Sequence, residues 1–317
     1  MNLVFFDIEC ASVYKYTAKI CAFGYVLCDE QFNILEKEDV LINPKGKFHL
    51  TGSHGEKGIV LPYEYSEFKK YPDFPHVYPR IKKLLEDRNN LVCGHATLND
   101  VKYLDLETNR FHLQPFSFAF SDSQLMYMTA ISDFSRQFGL EYITKDLNVE
   151  FTPHRAADDA YATMRVVEAL CKKYCCSFTE LENLLKIKRG WIKNHRITKP
   201  ASQDYIAYVA QRERAKAERA ERRSKFFVCL SRRKVVKTGK LHGKVFAFSR
   251  PLEDEIDLSI PFLTRIYALG GKYSHKLEEC NVFVCKEDDE SVRTGNARKS
   301  EGLEIITPEQ LKELLND

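Results

Sequence analysis

The stretch that most limits what this chain can fold into is "LVFFDIE", residues 3 to 9. Four apolar residues in a row read as a buried strand, rigid enough to hold whatever follows. Asp7 and Glu9 come next, two apart. A strand projects both carboxylates from one face and turns Phe6 and Ile8 to the other. Charges in such a place are costly unless something pairs with them or binds them. They lie near the carboxyl end of the first strand, where open α/β sheets place their sites. Two hard oxygen donors there suit Mg²⁺ or Mn²⁺. Taken alone, the pair is better explained as strand-end acids in solvent.

The organisation of the rest follows from periodicity. Strand-like runs cover residues 2–8, 18–28 and 34–42, and helical spacing appears at Val77, Ile81, Leu84 and Leu85. "LVCGH" supplies another short buried strand, and helical patterns follow at about 98–108, 134–148 and 155–175. Strands first, then strand alternating with helix, predict an α/β domain with a mixed sheet over residues 1–176. Residues 177 to 224 look helical throughout. Within them "QRERAKAERAERRSK" has almost no apolar stripe, so 177–235 reads as a basic, solvent-exposed helical connector. A second pattern follows: "GKVFAFS" as a strand, "SIPFLTRIYALGG" as a helix ended by glycines, and "KYS" and "CNVFVC" as strands. "EGLEIITPEQLKELLN" closes it as strand then helix, with a good cap at Thr307 and Pro308. Residues 236–317 are thus a second small α/β module.

Net charge is +3, but it is unevenly spread. Residues 186–244 hold 19 Lys/Arg against 4 Asp/Glu, and the remainder 29 against 41. That basic stretch fits either a solvated helical face or a segment that tracks phosphates. Ten cysteines without zinc-ribbon spacing or a preceding secretory signal predict reduced packing residues in a cytoplasmic protein. No apolar run is long enough to cross a bilayer, so no membrane partner is expected.

Two further elements bear on the acids. In "CGHATLNDVKYLDL" a short strand leads into a helix with Asp100 early in it. In "TPHRAADDAYATMRVVEAL" His154 and Asp159 are five apart, and they converge only if His154 lies on the loop before the helix, a boundary that Pro153 supports. Asp158 points about 100° away from Asp159.

In this order, the three elements resemble the DEDDh (DnaQ-like) 3′→5′ exonucleases over residues 1–175. Asp7 and Glu9 match the first motif, Asp100 the second, and His154 with Asp159 the third, in the H-x-A-x-x-D-A form of the histidine branch. Where the family's second motif reads His-Asn-x-x-Phe-Asp, this chain reads HATLND. That departure touches the contacts to the substrate strand and leaves the metal ligand in place. The resemblance implies an RNase H-like fold and two Mg²⁺ or Mn²⁺ ions held by Asp7, Glu9, Asp100 and Asp159. It makes His154 the base that takes the proton from the attacking water.

"HGKVFAFS", the pair Gly270 and Gly271, and "CNVFVC" resemble a BRCT domain over residues 236–317. Phosphate-binding members carry Ser-Gly on the first strand and a Lys at the second helix. Here Ser249 precedes Arg250, and Asn296 is placed at the Lys position. Docking to protein or to a DNA end, or a structural appendage, is expected ahead of phosphopeptide binding. The combined expectation is a metal-dependent exonuclease on the 3′ end of DNA, docked in replication or repair through its BRCT module. Two alternatives stay open: a 3′→5′ exoribonuclease, and a non-catalytic BRCT adaptor that binds nucleic acid.

Overall fold

A computed structural model describes residues 1–49, 61, 63–150, 155–234, 236 and 238–316. The chain divides into two compact units, Met1–Val209 and Ala210–Asp317.

In the first unit β1 (Asn2–Tyr14), β2 (Thr17–Asp29) and β3 (Ile34–Leu41) form an antiparallel meander. After α1 (Phe74–Glu86) come β4 (Asn90–Gly94), α2 (Leu98–Arg110) and β5 (Phe118–Asp122). Both strands run parallel to β1. Then follow α3 (Ser123–Ala130), α4 (Leu140–Asp146), α5 (Ala156–Tyr174) and α6 (Phe178–Leu184). Four short strands close the unit: β6 (Ile187–Lys188), β7 (Gly190–Lys193), β8 (Arg196–Thr198) and β9 (Ala201–Ser202). The main sheet has the order β3-β2-β1-β4-β5-β7-β8, which puts β1 near its centre.

The alternation of β1 divides the core into two layers. Val4, Phe6 and Ile8 pack with Val77, Ile81 and Leu85 of α1 and with Val101 and Leu104 of α2. Leu3 and Phe5 face the other way, onto Met126 of α3, Met164 and Val167 of α5, and Phe178 of α6. Each such buried side chain contributes about 1.5–3 kcal/mol relative to exposure. All ten cysteines are free thiols. Among the described residues no helix is long and apolar enough to cross a membrane.

The helical expectation for 177–224 fails between residues 187 and 202. Trp191, Ile192, Ile197 and Thr198 are strand formers, and Asn194 and His195 both adopt positive φ, +49° and +60°. Two such residues build the tight hairpin turn whose twist matches its strands, so β7 and β8 pair and β7 joins β5. The pattern at 134–148 is likewise helical only over α4. Residues 203 onward are helical, as the charge-rich stretch predicts: α7 (Gln203–Ser231) buries only Phe226.

The second unit contains β10 (Val245–Phe248), α8 (Arg250–Asp254), α9 (Ile256–Ala268), β11 (Lys272–Tyr273) and β12 (Val282–Val284). α10 (Val292–Ala297), β13 (Glu304–Ile306) and α11 (Pro308–Asn316) complete it. Its four strands are all parallel, in the order β11-β10-β12-β13. Phe226, Phe246, Phe248, Phe262 and Leu311 form its own core. Gly270 ends α9 at φ +88°, a conformation that a side chain disfavours. Beneath lies a buried ionic knot. Glu253 accepts from Tyr273 Oη at 2.5 Å, Arg293 Nη1 at 2.7 Å and Arg250 Nη1 at 2.6 Å. α10 starts at Val292 behind the cap Ser291, so Asn296 falls in its last turn and not at its start. The cation in its first turn is Arg293, which Glu253 already occupies.

Candidate active site

The site is built on one row across the sheet. Asp7 of β1 lies opposite Gly24 of β2, and Gly24 opposite Asp39 of β3. A Cβ at Gly24 would overlap the backbone of Ala156 and Ala157, so the first turn of α5 rests directly on this strand. That seating carries Asp159, in the same turn, to the two β1 acids. One carboxylate oxygen each from Asp7, Glu9 and Asp159 lie within 4.8 Å of one another. Asp158 turns away and pairs with Lys37 at 2.6 Å.

Asp100 sits in the first turn of α2 and is buried. It is not inside the tight trio but beside Asp7, for which its charge is the strongest neighbouring influence after burial. Burial, together with Asp100, Asp159, Glu9 and Asp39, holds Asp7 well above the usual carboxylate range. Burial and the nearby Asp159 and Asp39 push Glu9 up to about 8. Asp100 is also raised, chiefly by burial, against the opposing pull of its own amide and that of Ile8. Acids crowded in this way repel until a cation joins them. His154 lies outside the described residues, so only four of the five expected positions are described.

Two knots hold the acid-bearing elements. The Asp122 carboxylate accepts from the amides of Ala96 (3.1 Å), Thr97 (3.1 Å), Gln124 (2.9 Å) and Leu125 (3.3 Å). It thereby ties the loop before α2 to the start of α3, although burial lifts it to about 6. Ala96 in that loop sits at φ +50°, where the family pattern has the more tolerant Asn. In the second knot Tyr63 Oη donates to Asp39 at 2.8 Å and accepts from the Ala156 amide at 3.1 Å. It joins β3 to the first residue of α5. His95 is structural: its ring bonds Ser123 Oγ at 3.0 Å and the Phe138 carbonyl at 3.2 Å, and burial pushes it down to about 4, leaving it neutral.

Sequence reasoning missed Gly24, Asp39, Tyr63 and Asp122. For Asp122 the signal was present, since an acid before Ser-Gln at the end of a strand marks a helix cap. Its second pair of amides comes from a distant loop and leaves no trace in spacing.

Residues 4–167 match the family model described as Exonuclease, just over half of the chain. The chain belongs to this exonuclease family and is an exonuclease, a phosphodiester hydrolase with an RNase H-like mixed sheet. No curated protein matches it. Among solved structures it is similar to a 3′-exonuclease that recognises the 3′ end of the histone mRNA stem-loop, at 11% identity, covering 64% of this chain and 71% of that one, with a TM-score of 0.49. A full-length 3′-exonuclease aligns at 13% identity over 64% of this chain and 90% of its own, with a TM-score of 0.48. The zinc-bound complex of E. coli exonuclease I with single-stranded DNA aligns at 18% identity and a TM-score of 0.48. There the match covers 58% of this chain but only 42% of exonuclease I.

Proposed function

We propose that this chain is a divalent-metal-dependent exonuclease that removes nucleoside monophosphates from the 3′ end of DNA. The observation that carries the reading is the convergence of Asp7, Glu9 and Asp159 within 4.8 Å in a chain of the exonuclease family. The donors fit Mg²⁺ or Mn²⁺: all are hard carboxylate oxygens, and burial with mutual repulsion leaves the cluster in want of positive charge. Asp7, Glu9, Asp159 and Asp100 would hold two such ions, which when bound lower the pKa of a water and stabilise the leaving 3′ oxygen. The chain supplies the rest. β1 and the first turn of α5 fix the carboxylates, and the Asp122 and Tyr63 knots keep α2 and α5 in register with them. His154, by the family resemblance, takes the proton from the attacking water.

Residues 236–317 we read as a BRCT-like module that docks the enzyme to a protein partner in replication or repair. The parallel order β11-β10-β12-β13 and the glycines at 270 and 271 support that reading. The basic 186–244 segment suits a role in guiding the phosphate backbone toward the first unit.

A matched set of DNA and RNA oligonucleotides, labelled at the 3′ or 5′ end, tests the proposal. The 3′ label should leave first as a mononucleotide, from DNA faster than from RNA, and only with Mg²⁺ or Mn²⁺ present. Loss of an outer-shell partner typically costs about 10–100-fold, so Asp7→Asn, which removes a ligand, should cost more than that. Release of the 5′ label first, or an Asp7→Asn protein as active as the wild type, refutes the assignment.

A further inference from the structure

β1 and β2 do not end at the acids. β1 continues five residues past Glu9 to Tyr14, about 17 Å at strand rise, and turns through Lys15 and Tyr16 into Thr17. The tip is aromatic and open: Tyr14 is 51% exposed, Tyr16 74% and Val13 47%. Turns of this kind ordinarily carry Gly, Asn, Asp or Ser, and two tyrosines facing solvent contribute nothing to the core. Nor is Tyr14 loosely hung. Tyr14 Oη is hydrogen-bonded to His49 Nε2 at 2.6 Å, and the two rings meet edge-on with centroids 5.2 Å apart. The His49 amide donates to the Ala11 carbonyl at 2.8 Å, and Lys19 lies against Gly46, so segment 45–49 is laced along the hairpin. Lys15 Nζ sits 4.9 Å from the centre of the Tyr16 ring.

Within the hairpin and the segment beside it the charge is of one sign, although Lys45 pairs with Asp73 at 3.6 Å and Lys19 lies near Glu107. Residues 10–28 contain Lys15 and Lys19 and no acid, and residues 40–49 contain Lys45 and Lys47 and no acid. Exposed aromatic rings interleaved with lysines are the surface that single-stranded nucleic acid uses, with bases stacking on the rings and phosphates on the cations. We propose that the tip of the β1–β2 hairpin is a stacking platform for bases of the single-stranded substrate, a few nucleotides inward from the terminal one held at the carboxylates. The proposal rests on the exonuclease reading and extends it by making the enzyme favour single-stranded 3′ tails longer than a dinucleotide.

The test uses the full chain and a Tyr14→Ala/Tyr16→Ala double variant, with Tyr14→Phe/Tyr16→Phe as the control that keeps the rings. Two readouts are needed. The first is anisotropy of a 5′-fluorescein twelve-nucleotide oligothymidylate in EDTA, where nothing is cleaved. The second is kcat and KM in Mg²⁺ for that oligonucleotide and for a thymidine dinucleotide. Loss of one stacked base spans roughly 5- to 150-fold in binding, so the alanine pair should raise Kd and KM for the long strand by at least the lower figure. The phenylalanine pair should stay near wild type, as should kcat and the dinucleotide KM of the alanine pair. Equal binding of the long strand by wild type and the alanine pair overturns the platform, as does no binding by wild type or an equal loss on the dinucleotide. If wild type cleaves the oligonucleotide and the alanine pair shows the same KM, the platform falls and the exonuclease reading stands. If the tyrosines govern binding but nothing is cleaved, the reverse holds.

Discussion

Glu9 is an acid of ordinary sequence context whose behaviour is set by its neighbours. Burial, Asp159 and Asp39 lift it to about 8, and Asp7 and Asp100 move in the same direction. In the metal-free fold these groups keep protons that the unfolded chain releases above its ordinary carboxyl pKa. The folded state therefore binds more protons, and stability falls as pH rises from about 4.5 to 8. A cation must displace those protons, so apparent metal affinity should climb with pH by about tenfold per unit for each proton linked, the Glu9 contribution levelling off near pH 8. Calorimetric thermal scans in EDTA and in Mg²⁺ check this. Tm in EDTA should decline across the interval, and the Mg²⁺-induced rise should be larger at pH 8 than at pH 5. The residues behind this behaviour differed in how readable they were. Asp7, Glu9 and Asp159 stood out because D-x-E and HRAADDA are spaced along the chain. Gly24 and Asp39 acquire meaning only from the cross-strand row, which depends on a register that no single strand encodes.

Among the elements, α2 carries Asp100 and begins at a loop whose amides are gathered by one carboxylate. Asp122 Oδ1 takes three of the four amides and Oδ2 takes only that of Thr97. In Asp122→Asn the amide group can settle at the Oδ2 side, which sets a donor against the Thr97 amide and spares the other three bonds. The start of α2 should shift while the fold persists. Mg²⁺ needed for half-maximal activity should rise, and kcat should fall by about tenfold, the lower range for disturbed ligand support. An unchanged Mg²⁺ titration with a lowered Tm would make Asp122 only a structural cap. The helices were legible where an apolar stripe or a cap declared them. At the start of α11, for example, Thr307 Oγ1 accepts from the Gln310 amide at 3.2 Å and Gln310 Oε1 from the Thr307 amide at 2.9 Å. The β7–β8 hairpin was not legible. Lysines and arginines between its apolar residues mimic a basic helix, and Asn-His is an uncommon choice for a turn with two positive φ angles.

At the scale of the whole molecule, the cores of the two units share no residue. Each is expected to melt on its own terms. Glu253 offers the means to see this, because it is wholly buried and pairs with Arg293 and Arg250. Removing one member of a buried ion pair typically costs about 3–5 kcal/mol. Glu253→Ala should therefore lower one calorimetric transition and leave the other, together with activity on short strands, where it was. A single shared transition would show that the units fold as one. The strand order of the first unit has a practical side as well. β7 is the partner of β5, and Phe118 and Phe120 of β5 are buried. A form of this enzyme ending at residue 176, the limit suggested by the exonuclease-like pattern, would lose β7 and β8 and bare the unpaired backbone edge of β5. Such edges recruit strands from other molecules. The hairpin hidden in the basic stretch thus covers the β5 edge of the nuclease sheet and leaves β8 as the edge on that side.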